Sequence, residues 1–244
     1  MSQSILIKPE TFTPPQTRLS LSIQNIDDLF PGFTLGDFAV IYGSSKAASY
    51  MHSLLSVRSQ LPKQIDGLKS NVVFIDGGNS FNPGQVSSLA HKHHLVPERV
   101  LDDIHVFRVF TAYQMTSLVM ERLQNIVGKY NAKIVMISDL SNLFLDKNIP
   151  HEDAIRVFNQ VVSYLQSFAR RNQVILIVTC PTHSIQRNNF RNSCLKKTTS
   201  SKANVVVSLW QTLFDREFVL EKHPYLMLGT AEYPSDNLTL TEFL

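Results

Sequence analysis

A short polar loop follows the first strongly apolar run of the chain, and its residue types could bind phosphate. Residues 43–50 read Gly-Ser-Ser-Lys-Ala-Ala-Ser-Tyr after the apolar run Phe38–Tyr42. A phosphate-holding loop needs glycines whose backbone N–H groups wrap the phosphates, a lysine, and a hydroxyl for magnesium. The candidate nucleotide-binding residues are Gly43, Ser44, Ser45, Lys46 and Ser49. The alternative is an ordinary strand-to-helix connection in which Ser44 or Ser45 caps the helix.

A basic segment near the C-terminal third could bind an anionic polymer. Residues 183–202 contain five Lys or Arg and no acidic residue, so the rest of the chain has more acidic than basic residues although the formal net charge is +3. Cations suit phosphates, Asn side chains suit hydrogen bonds, and an aromatic ring suits base stacking. The candidate nucleic-acid-binding residues are Arg187, Phe190, Arg191, Lys196, Lys197 and Lys202. The alternative is a solvated surface loop.

Composition narrows the class of protein to one large domain with a sizeable core. The chain has 244 residues, of which 43% are hydrophobic and 18% charged, and no apolar run is long enough to span a membrane. Two cysteines form neither a disulfide framework nor a metal set, and the cluster His91–His94 has no carboxylate or thiol partner at ligand spacing. We expect a cytoplasmic protein without a metal site.

The elements that would position these residues alternate between strand and helix. Five short apolar runs predict buried parallel strands, at Phe38–Tyr42, Val72–Ile75, Ile104–Phe107, Ile134–Ile137 and Val174–Val178. Spacings of three and four predict helices over Met115–Ile126 and from about Pro150 to Arg171. Three closely spaced runs predict strands that extend the sheet with antiparallel pairs, at Val205–Trp210, Glu217–Leu220 and Leu226–Leu228. Trp210 is expected in the core or at a subunit interface.

These elements predict an α/β fold with a mainly parallel sheet between helices and antiparallel C-terminal strands. Residues 1–18, which include three prolines, are interpreted as an N-terminal arm. Residues 19–233 form the core domain, and residues 234–244 form a flexible tail.

The order of motifs resembles the core of the RecA/RadA recombinases, over roughly Arg18 to Leu228. A D-x-L-x-x-G-x-x-x-G pattern begins at Asp27 and precedes the first strand, the loop and a helix ending in Gln60-Leu61-Pro62. The likeness continues at Val73–Asp76, Ser80–Pro83, Val100–Arg108 and Ile134–Asp139. The resemblance implies a RecA-like P-loop NTPase fold.

The same resemblance implies that the Walker A loop is degenerate. Counted back from Gln60, the lysine position falls on Ala48, the preceding glycine on Ala47 and the hydroxyl on Ser49. Lys46 lies two residues early, and we expect it outside the first helical turn. The alternative is that Lys46 reaches a phosphate by a path that the family does not use.

Two further family positions indicate that hydrolysis is lost. The glutamate that acts as general base in the family falls on Gly78, which cannot take a proton. The polar sensor after the fifth strand falls near Pro181, whereas Asp139 remains where the family places magnesium. A structural role for Asp139 at the strand end is slightly favoured. We therefore expect no cofactor to be turned over, although ATP and magnesium binding stays open.

In the recombinases, the segment after the fifth strand is a mobile loop that contacts single-stranded DNA, and here it would span about residues 182–202. If four of its cations met phosphates, log K would fall with log[salt] at a slope of about −3. The family polymerises through a Phe-x-x-Ala strand, whereas residues 12–15 here read Phe-Thr-Pro-Pro, so we expect a monomer or dimer rather than a filament.

The leading hypothesis is a non-catalytic recombinase relative that binds single-stranded DNA and supports or modulates homologous recombination and DNA repair. Its partners would be single-stranded DNA and an active recombinase or another repair protein, with no membrane. The alternatives are a non-catalytic scaffold that docks a protein partner and, least favoured, an ATPase with an atypical phosphate loop that uses Lys46 and Asp139.

Overall fold

A computed structural model describes residues 17–181, 190–211 and 216–232. The helices in these ranges are α1 Gln24–Leu29, α2 Ser45–Arg58, α3 Pro83–Lys92, α4 Pro97–Asp102, α5 Ala112–Ser117, α6 Leu123–Tyr130, α7 His151–Asn172 and α8 Phe190–Lys202. The strands are β1 Arg18–Leu19, β2 Phe33–Thr34, β3 Phe38–Gly43, β4 Val72–Asp76, β5 Ile104–Arg108, β6 Ile134–Ser138, β7 Ile175–Pro181, β8 Val205–Gln211, β9 Arg216–Lys222 and β10 Gly229–Glu232.

The main sheet has eight strands in the order β10-β9-β8-β3-β7-β6-β4-β5 within the described ranges. The strands from β8 to β5 run parallel, and β9 and β10 continue the sheet by antiparallel pairing. The α/β prediction with antiparallel C-terminal strands is therefore confirmed. Because parallel strands share one direction, their carboxyl ends meet at one edge, which we call the carboxyl edge.

Helices cover both faces of the sheet. On β3 every residue is buried, with Val40 and Tyr42 facing the cluster that includes α5, α6 and α7, and Ile41 facing the cluster that includes α2, α3 and α4. Alternate residues of a strand point to opposite faces, so a continuous apolar run is what a strand covered on both faces requires. The five predicted strands β3 to β7 are confirmed.

One prediction of local structure is wrong and two gain detail. The run Leu226–Leu228 is a loop before β10, with Met227 88% exposed, so its apolar composition does not reflect burial in a strand. The strand β8 pairs in parallel with β3 and antiparallel with β9, so the predicted antiparallel extension begins between β8 and β9. Trp210 is 52% exposed and hence does not lie in the core of this chain, while a subunit interface stays a prediction.

The predicted helices are confirmed, with one irregularity. A π-helical turn at Leu118–Arg122 joins α5 and α6 within the predicted span. The predicted second helix is α7, whose first turn carries Glu152 and Asp153 and whose last turn carries two arginines. Charges of that sign at those ends complement the helix dipole.

Two further findings concern metal binding and membrane-spanning helices. The cluster His91–His94 lies at the end of α3, and the described residues contain no group of three metal-ligating side chains. Among residues 17–181, 190–211 and 216–232, no helix is long and apolar enough to cross a membrane.

Candidate functional site

The loop after β3 is a capped strand-to-helix connection. The Ser44 hydroxyl accepts a hydrogen bond from the backbone N–H of Ala47 at 3.2 Å, which makes Ser44 the N-cap of α2. Capping of this kind satisfies an N–H group that the helix leaves without a partner. Of the two serines proposed as caps, Ser44 is therefore the N-cap, while the role of the loop toward phosphate stays a prediction. Lys46 is the second residue of α2 and is exposed, so the expectation that it lies outside the first turn is wrong.

Of the other candidate residues of this loop, Ser45 is exposed, whereas Ser49 and Gly43 contact the rest of the protein. Ser49 donates a hydrogen bond from its hydroxyl to the backbone carbonyl of Ser80 at 3.0 Å. Ala48 is buried, at 3% exposure. A Cβ at Gly43 would lie 3.0 Å from the Cβ of Leu209, so this glycine allows β8 to approach the end of β3. The Ser49 hydroxyl thus holds the loop after β4.

The carboxylate at the end of β4 organises the same loop. Asp76 is buried and accepts hydrogen bonds from the Ser138 hydroxyl at 2.7 Å and from the backbone N–H groups of Ser80 and Phe81 at 2.8 and 3.3 Å. The guanidinium of Arg108 lies 3.9 Å away. A carboxylate accepts several hydrogen bonds at once, and those of Asp76 fix the backbone between β4 and α3.

The position of the expected general base has little room for a side chain. A Cβ built on Gly78 would lie 2.9 Å from the Cβ of Asp139, and one built on Gly77 would lie 2.7 Å from the Ser138 carbonyl oxygen. Real Cβ atoms essentially never approach so closely, so a larger residue at position 78 would have to displace Asp139 or its own backbone.

The backbone of Asp139 forms hydrogen bonds at the end of β6. It adopts a left-handed conformation with φ of 49°, and its backbone N–H donates to the Thr179 hydroxyl at 3.3 Å. Its carbonyl accepts from the N–H of Asn142, and the residue is 7% exposed. Burial raises the pKa of the neighbouring Cys180 thiol to about 12, and the Asp139 carboxylate adds to that rise.

At the positions where the resemblance would place a magnesium nucleotide, the residues of this edge do not supply the expected groups. No amine extends from Ala48, no carboxylate extends from Gly78, and Ser49 donates to a backbone carbonyl. The pair Gly78 and Asp139 is the structural observation behind this conclusion, because a side chain at position 78 would require Asp139 or the backbone to move.

The basic segment lies beside the carboxyl edge, but most of it differs from the predicted loop. Residues 190–202 form α8, so the prediction of a mobile loop is wrong for them, and Arg187 lies outside the described residues. The helix α8 rests on the end of β3. The Tyr42 hydroxyl donates to the Lys196 carbonyl at 3.1 Å and shares a hydrogen bond of 2.8 Å with the Ser200 hydroxyl.

The side chains predicted to bind nucleic acid divide into three groups. Lys196 and Lys197 are exposed, and the Lys196 ammonium lies 4.6 Å from the centre of the Tyr42 ring. Phe190 is 73% exposed. Lys202 is half-buried at the end of the helix, where its carbonyl accepts from Gln166 at 2.6 Å.

Arg191 is the exception, because it points into the protein. It is 8% exposed, and its guanidinium donates to the carbonyls of Asp146 and Ile149 at 2.9 Å each and to that of Phe144 at 3.4 Å. The prediction that Arg191 contacts phosphate is therefore not supported by its position. Its planar fork instead holds the turn between β6 and α7.

Two aromatic side chains at this edge were not among the predicted site residues. Tyr42 was placed in a strand for its apolar character, and the structure shows that its hydroxyl anchors α8. The His151 ring stacks against Phe190 with centroids 5.6 Å apart. Neither contact has a signal in the sequence, because the paired elements are far apart along the chain.

The fold and this edge define a RecA-like α/β domain, in which a strand, a loop and a helix occupy the place of a phosphate-binding loop. The Rad51 family profile matches residues 17–197, which is most of the chain, and the chain belongs to the Rad51 family. The chain is 27% identical over 136 residues to a protein of Ignicoccus hospitalis described as DNA repair and recombination protein RadA. That match covers 52% of this chain and 41% of the relative, so the chain matches less than half of that relative's length.

Proposed function

We propose that this protein is a member of the recombination and repair family that binds single-stranded DNA through its basic segment and does not hydrolyse ATP. It would support or modulate homologous recombination, beside an active recombinase or another repair protein. The observation that carries the proposal is the contrast at the carboxyl edge between inward-facing polar groups near Ser49 and exposed cations on α8.

The binding half of the proposal is supported by the surface of α8. Lys196 and Lys197 are exposed, and residues 183–202 contain no acidic side chain that would neutralise them. Lysine ammonium groups bind phosphates by releasing condensed counterions, which makes the affinity dependent on salt. The described charges and the exposed ring of Phe190 suit a flexible single strand better than a small anion.

The proposal that ATP is not hydrolysed is supported by the residue types at the positions that matter for phosphoryl transfer. Catalysis of this reaction rests on positioning and on stabilising charge, for which the family's lysine and glutamate serve. The resemblance places Ala48 and Gly78 at these positions, and a Cβ at Gly78 would lie 2.9 Å from that of Asp139. We infer that bound nucleotide, if any, would not be turned over.

The experiment is a pair of measurements on the same preparation. Binding to labelled single-stranded DNA is titrated at several salt concentrations, and phosphate release from ATP with magnesium is followed with and without that DNA. Salt-sensitive binding without phosphate release supports the proposal. Phosphate release that a Lys46→Ala substitution abolishes would favour the third hypothesis, an ATPase with an atypical loop.

A second candidate function, docking of a protein partner, is favoured by the outermost strand β5. Among the described strands, β5 has a neighbour on one side only, and a cavity of about 450 Å³ lies beside it. Its lining includes Phe107, Leu118 and Tyr113, the last of which is 83% exposed. Arg108 and Arg122 also line this cavity, so its lining is mixed polar and apolar. An edge strand beside such a cavity can accept an extended peptide as a further strand.

A single substitution distinguishes DNA binding from docking of a protein partner. A Tyr113→Ala substitution should leave DNA affinity unchanged and weaken the complex with a recombinase or other repair protein measured by calorimetry. If the same substitution lowered DNA affinity and left that complex intact, the docking function would be wrong.

A further inference from the structure

Two aromatic rings from distant parts of the chain form a partly exposed pair at the carboxyl edge. Phe190 is the first residue of α8 and His151 is the first residue of α7. Their rings lie 5.6 Å apart between centroids with an interplanar angle of 29°, which is a stacked arrangement. Because Phe190 is 73% exposed, its ring is covered only in part by His151.

The buried side chain of Arg191 holds this pair in position. Its Nε donates to Nδ1 of His151 at 3.3 Å, while its two terminal nitrogens donate to carbonyls of the turn that precedes α7. One buried guanidinium therefore fixes the orientation of the His151 ring, the turn and the first residues of α8 together. A stacking surface loses less entropy on binding when its rings are already ordered.

The exposed face of α8 continues from the ring toward a cation. Arg191, Leu195 and Thr199 are the buried residues of this helix, at a spacing of four. Phe190, Ser193 and Lys197 are exposed and follow the complementary spacing of three and four, so they share the outward face. Lys197 lies about 10 Å along the helix axis from Phe190.

We propose that the His151–Phe190 pair is a stacking platform for one unpaired nucleobase, with Lys197 binding a neighbouring phosphate. Every base has a flat aromatic face, so stacking tolerates any sequence but requires that the base be free of its duplex partner. The platform would therefore make this surface selective for single strands over duplex, and Arg191 would be a positioning residue. This inference rests on the proposed function, because it names the chemistry of the same surface.

The test uses an oligonucleotide in which one base is 2-aminopurine, whose fluorescence falls when the base stacks on an aromatic ring. The 244-residue protein and four variants are titrated against this single strand and against its duplex. Phe190→Leu keeps an apolar side chain without a ring, and Phe190→Trp keeps a ring. His151→Ala removes the second ring, and Tyr113→Leu is the matched control, because Tyr113 is an exposed aromatic residue beside the outermost strand β5, four strands away from β3.

The parent protein, Phe190→Trp and Tyr113→Leu should quench the fluorescence and bind the single strand more tightly than the duplex. Phe190→Leu should lose the quenching and at least about fivefold in single-strand affinity, since one base stack contributes that much or more. The salt dependence should stay as steep as in the parent, because no cation is removed. His151→Ala should show a smaller loss in the same direction.

Two outcomes overturn the inference and are distinguishable. If the parent protein binds no nucleic acid at low salt, the proposed function fails and the platform fails with it. If the parent binds with the expected salt dependence but Phe190→Leu keeps both its affinity and its quenching, the platform alone is wrong.

Discussion

Two neighbouring regions of the carboxyl edge use their polar side chains in opposite ways. Around the loop after β3, Ser49 and Asp76 form hydrogen bonds within the protein. Along α8, Lys196 and Lys197 reach the surface. The polar groups of the first region therefore stabilise the loops of the fold, whereas the second region presents exposed cations.

The largest expected effect concerns Arg191, which is buried although it belongs to the basic helix α8. Arg191→Met should lower the free energy of unfolding by about 3 kcal/mol, because carbonyls of the turn before α7 lose a charged donor. Urea denaturation measures the change. Arg156→Met is the control, since its exposed pair with Asp153 should contribute about 0.5 kcal/mol or less. Equal losses in both variants would mean that the Arg191 hydrogen bonds contribute little to stability.

The next effect comes from His52, a buried histidine of α2. His52 is 2% exposed, and burial lowers its pKa to about 4. Between pH 6.5 and 4 the unfolded chain binds a proton at this histidine that the folded protein does not bind, so stability falls as the pH falls through this window, by about 3 kcal/mol in all.

Denaturation curves from pH 7 to 4 measure this dependence for the parent, His52→Leu and the exposed control His91→Gln. The His52→Leu curve should be the shallower one, while the control should follow the parent. If all three curves run parallel, the buried histidine does not account for the loss of stability in acid.

Charge reversal sharpens the contrast between the two regions directly. Lys196→Glu combined with Lys197→Glu should weaken binding to single-stranded DNA by at least about tenfold and reduce the salt slope by about 1.4, if each lysine meets one phosphate. Fluorescence anisotropy at several salt concentrations measures both quantities. Arg170→Glu with Arg171→Glu, at the far end of α7, should change neither. A loss of affinity in the control that matched the α8 variant would place the binding surface elsewhere.

The smallest expected effect comes from two glycines with different surroundings. Gly78→Ala should destabilise the protein by about 1 kcal/mol or more, because the new Cβ meets the Cβ of Asp139 at 2.9 Å. Gly128→Ala in α6 meets nothing within 4 Å and should stabilise by about 0.5 to 1 kcal/mol. Thermal unfolding compares them, and the same sign for both would contradict the close packing at position 78.

The strands β3 to β7 could be predicted because each is a continuous apolar run, and burial on both faces leaves that pattern in the sequence. The direction of β8 could not be predicted, because a strand's local pattern does not encode the direction of its neighbours. The helix α8 was missed because its Asn, Ser and Thr residues favour loops and turns in isolation. Tertiary contacts decide its conformation, as the hydrogen bonds from Tyr42 show.

The candidate site was predictable in its location but only partly in its roles. The order of strands and loops identified the carboxyl edge, and the basic composition identified α8. The role of Arg191 could not be predicted, because its acceptors are backbone carbonyls, which have no residue type. The pairing of His151 with Phe190 likewise depends on that turn and leaves no pattern in either segment.

The most direct test of the central claim is a titration of labelled single-stranded and duplex DNA with the full chain at several salt concentrations, with and without ATP and magnesium. Our account predicts binding to single strands that weakens as salt rises, exceeds duplex binding and is unchanged by ATP. Absence of binding at low salt would contradict the role assigned to α8. Binding that required ATP would show instead that the loop after β3 still holds a nucleotide.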